Sequence, residues 1–486
     1  MNRLLAIDQG TTSTRAIVFS LEGEVIDTEQ KELHLLYPQK GWVEQSAERI
    51  WEDTLDVVRR VISDDVVVIG IANQRETTIV WDRATGKPIA NAIVWQDRRT
   101  SDRCDDLRRQ GLEGEIAAKT GLLLDPYFSA TKIAWILDHV EGARQRAERG
   151  ELAFGTVDSW LLWNLTGGSV HATDATNASR TMLFNIRTQE WDSSLLELFG
   201  IPASLLPEVK DNAAHFGDTE ESLFGRSYVI GGMAGDQQAA VVGQACFEEG
   251  MVKSTYGTGC FALINIGGEF KPSNERLLTT VAYRINGNTT YAIEGSIFAA
   301  GAAIQWLRDN MGLIRSAAES EAVARSVSDN NGVYFVPAFT GLGAPYWVPE
   351  ATALITGLSR ESTAAHVVRA ALEAQGFQTR DLMAAMEKDS GFGISTIRAD
   401  GGLVANGFVC QFLADILDRP VEIPQTNETT AWGAACLAGL HAGWFTSLDA
   451  IGQTWKASQS YSPGMGETER NALYAGWQQA VQKVLA

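Results

Sequence analysis

Cysteine is scarce in this 486-residue chain. The five present, Cys104, Cys246, Cys260, Cys410 and Cys436, are scattered without metal-ligand or redox spacing. An odd, dispersed set argues against a closed disulfide framework, and the thiols read as reduced, as in a cytoplasmic protein. Positive charge is also short, with 40 Lys and Arg against 60 Asp and Glu and a net charge of −20. That balance favours solubility and disfavours nucleic acid or an anionic membrane as a partner, so an anionic ligand must be held by local donors and metal. No apolar run has membrane-spanning length. The N-terminal one, Leu4 to Ile7, is interrupted by Asp8, so neither a span nor a secretory signal is expected. Short-period repeats and low-complexity segments are absent as well.

What is present is a chain too long for one typical core, which implies two or three domains. The run Leu4 to Ile7 delivers Asp8 into the turn Gln9-Gly10-Thr11-Thr12-Ser13 before Arg15 to Phe19 resumes as a second strand. Gly10 lets backbone N–H groups approach an anion, the hydroxyls of Thr11, Thr12 and Ser13 add donors, and Arg15 adds charge. Asp8 can hold a hydrated divalent cation against phosphate oxygens. Glu24 to Leu36 suits a third antiparallel strand. Ile50, Thr54, Val57, Val58 and Val61 recur at helical spacing, and Val66 to Ala72 is a β-branched run typical of a buried strand. The class is α/β.

The design repeats. Met251 to Tyr256 leads through Gly257-Thr258-Gly259-Cys260 and out along Phe261 to Ile264, a second hairpin with a Gly/Thr turn. Two halves that each begin with a phosphate-type hairpin imply a duplicated architecture, residues 1–244 and 245–486, with a hinge near Gly243 to Gly250 and a nucleotide between the lobes. Arg75-Glu76 follows the strand ending at Ala72, where α/β sheets expose their ligand sites. A guanidinium and a carboxylate side by side can bind neighbouring hydroxyls; taken alone they read as a surface ion pair worth about 0 to 1 kcal/mol. Asp236 follows the small-residue strand Val229 to Gly235 and opens an apolar helix, so it reads either as an N-cap or as a base kept ionised by the helix N-terminus. Glu467 to Leu485 is patterned as an amphipathic helix facing solvent.

A hairpin clasp followed by a second in a duplicated α/β chain resembles the actin, Hsp70 and sugar-kinase superfamily. Tyr127 to His139, and Ala353 to Leu358 followed by His366 to Glu373, resemble the two signatures of the FGGY carbohydrate kinases. Asn73 to Thr78, Trp95 to Arg99, Asp125 to Phe128, Ala234 to Gln238 and Tyr256 to Phe261 resemble the corresponding segments of that family's glycerol-phosphorylating members, and the likeness runs on to Thr468 to Asn471. The resemblance implies a two-lobed actin-like ATPase (ribonuclease H-like) fold and ATP-dependent, Mg²⁺-assisted phosphorylation of glycerol in a cytoplasmic homo-oligomer, dimer or tetramer. Erythritol or dihydroxyacetone kinases are the near alternatives, and an actin-like ATPase a distant one.

By the same resemblance Asp236 is the catalytic base. Arg75, Glu76, Tyr127 and Gln237 contact the polyol, and Trp95 and Phe261 could wall it; Trp95 alone reads equally as core. Thr11, Thr12, Ser13, Arg15 and Thr258 take phosphates, Gly301 and Gln305 lie near ribose and phosphates, and Gly402 and Asn406 meet adenosine. Asp8 faces Mg²⁺ through water. Many of these kinases have a second Asn where this chain has Gly407, and some have a glycine-rich sugar-bisphosphate loop where this chain reads Thr219 to Arg226, so that control is not expected here.

Overall fold

The computed structural model describes residues 2–348 and 350–486. Its first sheet is built from β1 (Arg3–Gln9), β2 (Ser13–Phe19), β3 (Val25–Glu32), β4 (Val66–Asn73), β5 (Ala213–Asp218) and β6 (Val229–Gly235), in the order β5-β6-β4-β1-β2-β3. β1 and β2 are antiparallel, with Asp8 opposite Arg15, and the Gly10 amide donates to the Ser13 carbonyl at 2.9 Å to close the turn. β4 runs parallel to β1, and β6 parallel to β4. Leu4, Leu5, Ala6, Ile7, Val68, Ile69 and Ile71 are fully buried because these central strands are covered on both faces. β3, on the edge, is mostly exposed and charged. Helix α1 (Ala47–Val61) buries the Ile50, Thr54, Val57, Val58, Val61 stripe and starts at Ser46, whose hydroxyl caps the Arg49 amide.

The second sheet comprises β7 (Met251–Tyr256), β8 (Cys260–Gly267), β9 (Leu278–Ile285), β10 (Asn288–Ile297), β11 (Thr396–Asp400), β12 (Val421–Pro424) and β13 (Ala457–Tyr461), in the order β9-β10-β8-β7-β11-β12-β13. Without β9, its pairings from β10 to β13 run antiparallel, antiparallel, parallel, parallel, antiparallel, as do those of the first sheet from β3 to β5. The duplication read from the two hairpins extends to whole sheets. It is imperfect at the far edge, since β5 precedes β6 in the chain whereas β13 follows β12.

The halves interlock. Helix α2 (Asp236–Gly243) leaves β6, and helices α3 (Gly301–Asp309) and α4 (Gly407–Leu417) belong to the second lobe. Helix α5 (Thr429–His441), although late in the chain, packs Ala431, Trp432, Ala434, Leu437 and Ala438 on Leu4, Ala6, Phe19 and Val68 of the first sheet. It touches α2 backbone to backbone: a Cβ on Gly433 would lie 1.8 Å from the Ala239 carbonyl oxygen, and one on Gly243 would lie 1.9 Å from that of Thr429. Helix α6 (Glu467–Leu485) is amphipathic as expected, burying Trp477, Ala480 and Val481.

Because α2 begins at Asp236, the α2–α5 contact sets where that carboxylate sits. Gly433→Ala must push the helices apart, an overpacking cost of about 1 to 3 kcal/mol. We expect a lower thermal midpoint and a lower kcat together; a variant that melts and turns over like the parent would show that the contact is not a constraint.

Candidate active site

β1, β4 and β6 are parallel neighbours whose carboxyl ends lie level, Asp8 opposite Ala72 and Asn73 opposite Gly235. The residues just beyond therefore converge: Asp8 from β1, Arg75 and Glu76 from β4, Asp236 from β6. The turn after β4 is tight. Glu76 adopts φ 61°, a left-handed conformation uncommon for a residue with a side chain, and Asn73 braces the turn with a hydrogen bond to the Gln74 carbonyl at 2.8 Å.

Arg75 and Glu76 are almost wholly buried, so a surface ion pair is excluded. Arg75 Nη1 and Nη2 donate to the two carboxylate oxygens of Glu294, at 2.5 and 3.0 Å, and Arg180 Nη2 reaches the same Glu294 Oε1 at 3.0 Å. Arg180 Nε donates to Glu76 Oε1 at 2.7 Å. Two guanidiniums and two carboxylates thus alternate in a closed, dry corner, each charge neutralised by its neighbours. Burial pushes the Glu294 carboxyl up, but Arg180 and Arg75 overrule it and hold it at about 2. The Tyr127 hydroxyl lies 3.5 Å from Arg75 Nη2, and burial raises its pKa, so it acts as a neutral donor and acceptor. Lys132, buried and pulled down to about 7 by desolvation, fixes Tyr127 by donating to its backbone carbonyl at 2.7 Å.

Asp236 heads α2 as read from sequence, but its role is not that of a cap, since the helix has Gly235 at that position and no side-chain cap bond. One carboxylate oxygen lies 3.4 Å from Arg75 Nε and takes the Gln237 amide at 2.7 Å. Burial raises its pKa against the pull of Arg75 and Lys253, which makes it a better proton acceptor than an exposed aspartate. Next to it, the Gln237 side-chain carbonyl accepts from Lys253 Nζ of β7 at 2.5 Å, tying the second hairpin to this corner.

The first hairpin lies alongside. Trp95, half-buried, donates from its indole nitrogen to the Thr11 hydroxyl at 2.9 Å and meets the Tyr127 ring edge-on at 5.6 Å, bridging the first hairpin and Tyr127. Thr12 is exposed and Ser13 half-buried. Arg15 pairs with Asp8 and with Glu428 Oε2 at 2.5 Å. Burial raises Asp8 while Arg15 opposes it.

In the second lobe Gly257 and Thr258 are exposed at the hairpin tip, with Phe261 half-buried on β8. The Gly301 amide donates to the Gly257 carbonyl at 2.9 Å, and a Cβ there would stand 2.6 Å from that oxygen, so Gly301 seats α3 on the hairpin. Gln305 and Gly402 are exposed, with open space over Gly402. The Asn406 oxygen caps the amides of Phe408 and Val409, and its amide donates to the Ser320 hydroxyl at 3.1 Å, at the start of α4. Asp400 gathers residues distant in sequence, accepting from Gln244 and Thr429, each at 2.7 Å, and from Thr255.

Arg180, Glu294, Lys253 and Glu428 were not singled out by the sequence reading. The available signal was charge out of place: Glu294 interrupts Tyr-Ala-Ile and Lys253 interrupts a hairpin strand, each on a buried strand where an unpaired charge is costly.

This layout, a duplicated pair of sheets with a buried Arg/Glu corner beside an aspartate at a helix start, can be compared with known proteins. Residues 3–243 match the N-terminal domain of the FGGY family of carbohydrate kinases, and residues 252–442 its C-terminal domain. The chain belongs to the FGGY family of carbohydrate kinases. It is 64% identical to the glycerol kinase of Nitrosomonas eutropha over 99% of this chain and 98% of that one, and 59% identical to the glycerol kinase of Rhodospirillum rubrum with the same coverage. Among solved structures it superposes on Plasmodium falciparum glycerol kinase with ADP at a TM-score of 0.96 and 36% identity, covering 100% of this chain and 99% of the other. The Lactobacillus acidophilus xylulose kinase, at 0.90 and 21% identity with 99% and 97% coverage, shares the fold. The fold of this FGGY kinase is the two-lobed actin-like ATPase fold, and none of its described helices is long and apolar enough to cross a membrane.

If Asp236 is the proton acceptor, Asp236→Asn should lower kcat by roughly 10² to 10⁴ with nucleotide affinity little changed. A near-parental kcat would remove Asp236 from that role. The acid limb of kcat should fall above the ordinary aspartate pKa of about 4, because burial raises this group and activity requires it ionised. A limb at or below that value would contradict the assignment.

Proposed function

We propose that this kinase transfers the γ-phosphoryl group of ATP to a terminal hydroxyl of glycerol, giving sn-glycerol 3-phosphate and ADP. The observation that carries the reading is the pairing of Arg75 and Glu76 in a buried corner with Asp236 3.4 Å from the guanidinium. The names of the relatives support it. A donor and an acceptor held side by side match adjacent hydroxyls, each of which both donates and accepts. Tyr127 adds a phenolic contact, Gln237 a side-chain amide, and Trp95 and Phe261 close on the carbon chain. Asp236 takes the proton of the attacking hydroxyl.

For the nucleotide, Thr11, Thr12, Ser13 and Thr258 offer hydroxyls and turn amides to the phosphates, Gln305 an exposed amide, and Gly402 a flat backbone surface to the adenine. Arg15 joins them when it leaves Asp8. Among the described residues no group of three or more His, Cys, Asp or Glu forms a metal cage. Mg²⁺ keeps waters and binds through one or two carboxylates together with substrate phosphates, a donor set that the carboxylate of Asp8 beside the first hairpin suits. Asp8 would hold it through water, and the ion when bound supplies charge neutralisation at the phosphate oxygens. The lobes, divided between residues 244 and 245 by this reading, close to exclude water. The reading includes a cytoplasmic homo-oligomer, dimer or tetramer.

An ADP-release assay over a polyol panel tests it. A buried partner left unpaired costs about 1 to 3 kcal/mol, so glycerol should exceed 1,3-propanediol roughly ten- to a hundredfold in kcat/KM, with erythritol poor because its extra carbon meets Trp95 and Phe261. Preference for erythritol or dihydroxyacetone over glycerol would reassign the substrate. Asp8→Ala should weaken Mg²⁺-dependent turnover and spare glycerol affinity; the opposite pattern would move Asp8 out of the metal role.

A further inference from the structure

We propose that Glu294 is a positioning residue of the polyol site, inserted by the second lobe between two arginines of the first, so that the site is complete only with both lobes in register. The proposal rests on the polyol reading above. Glu294 lies on β10 of the second sheet, whereas Arg75, Glu76 and Arg180 come from the first half of the chain. All four side chains are nearly or fully buried.

Glu294 takes both terminal nitrogens of Arg75, at 2.5 and 3.0 Å, and Nη2 of Arg180 at 3.0 Å. Arg180 in turn holds Glu76 at 2.7 Å, and its Nη1 has no hydrogen-bond partner among the described residues. Guanidinium geometry makes the consequence directional: with its two terminal nitrogens clamped, Arg75 presents a fixed edge to the polyol. Without the Glu294 charge, two guanidiniums share the single carboxylate of Glu76 in a dry corner, where like charges repel strongly. Arg75 Nη1 also reaches the neutral Gln238 Oε1 at 3.3 Å, and the next carboxylate for Arg75 is Asp236, already 3.4 Å from Nε. Glu294 therefore both aims Arg75 and keeps it from closing onto the base, and through Arg180 it sets the carboxylate of Glu76.

The test compares Glu294→Gln, which keeps the shape and removes the charge, with Glu294→Asp, which keeps the charge. Glycerol KM, kcat, affinity for a fluorescent ATP analogue and thermal midpoint are measured for each. We expect Glu294→Gln to raise glycerol KM roughly thirtyfold or more and to lower kcat by about tenfold, with nucleotide affinity within about twofold of the parent; Glu294→Asp recovers part of the KM. A Glu294→Gln glycerol KM within about threefold of the parent would overturn the proposal. So would both variants losing thermal midpoint and nucleotide affinity in parallel with KM, which would make Glu294 a structural residue only. Should the parent enzyme turn over another polyol and not glycerol, the substrate assignment fails, and the same KM comparison with that polyol still decides the role of Glu294.

Discussion

The structure depends on one constraint: four opposite charges, Arg75, Glu76, Arg180 and Glu294, packed together out of water. Dry ion pairs are poor sources of stability, since desolvation offsets most of their attraction, and breaking one by removing a partner costs about 3 to 5 kcal/mol. Their value here is geometric. A guanidinium held at both terminal nitrogens and a carboxylate held at one oxygen present a fixed donor and acceptor, the arrangement a small polyhydroxy substrate needs. The remaining machinery is placed with respect to that corner. β1, β4 and β6 bring Asp8, Arg75 and Asp236 level, α2 and α5 touch to fix Asp236, and Lys253 ties the second hairpin to Gln237.

The same wiring joins the lobes at several points. Glu294 and Lys253 cross from the second sheet, Glu428 crosses to Arg15, and Asp400 gathers Gln244, Thr255 and Thr429. Arg15, of the first hairpin, is engaged between Asp8 and Glu428. The Arg15–Glu428 pair ties the first hairpin to the residue before α5, which packs on the first sheet.

Much of this was legible in the chain. The turn Gln9 to Ser13 and its counterpart Gly257 to Cys260 disclose the duplication because a hairpin is a local structure, written in alternation and glycine. Asp236 at a helix start was equally local. Arg180 and Glu294 were not legible as partners because their meaning is a contact across 114 residues, and no local pattern encodes which buried charge meets which. Asn406 shows the local rule at work, since an Asn before a helix caps it, here at the Phe408 and Val409 amides. Helix α5 shows the limit of dividing a chain by position, since Thr429 to His441 follows the second-sheet strand β12 yet packs on the first sheet.

The central claim is that glycerol sits on the Arg75–Glu76 pair with a terminal hydroxyl at Asp236. A crystal structure with glycerol and a non-hydrolysable ATP analogue tests it most directly. The account predicts one hydroxyl within hydrogen-bond distance of Asp236, the other two on Arg75 and Glu76, and Arg75 still bound to Glu294. Glycerol seated away from Arg75 and Glu76, or Asp236 turned from it in the closed complex, would contradict the account.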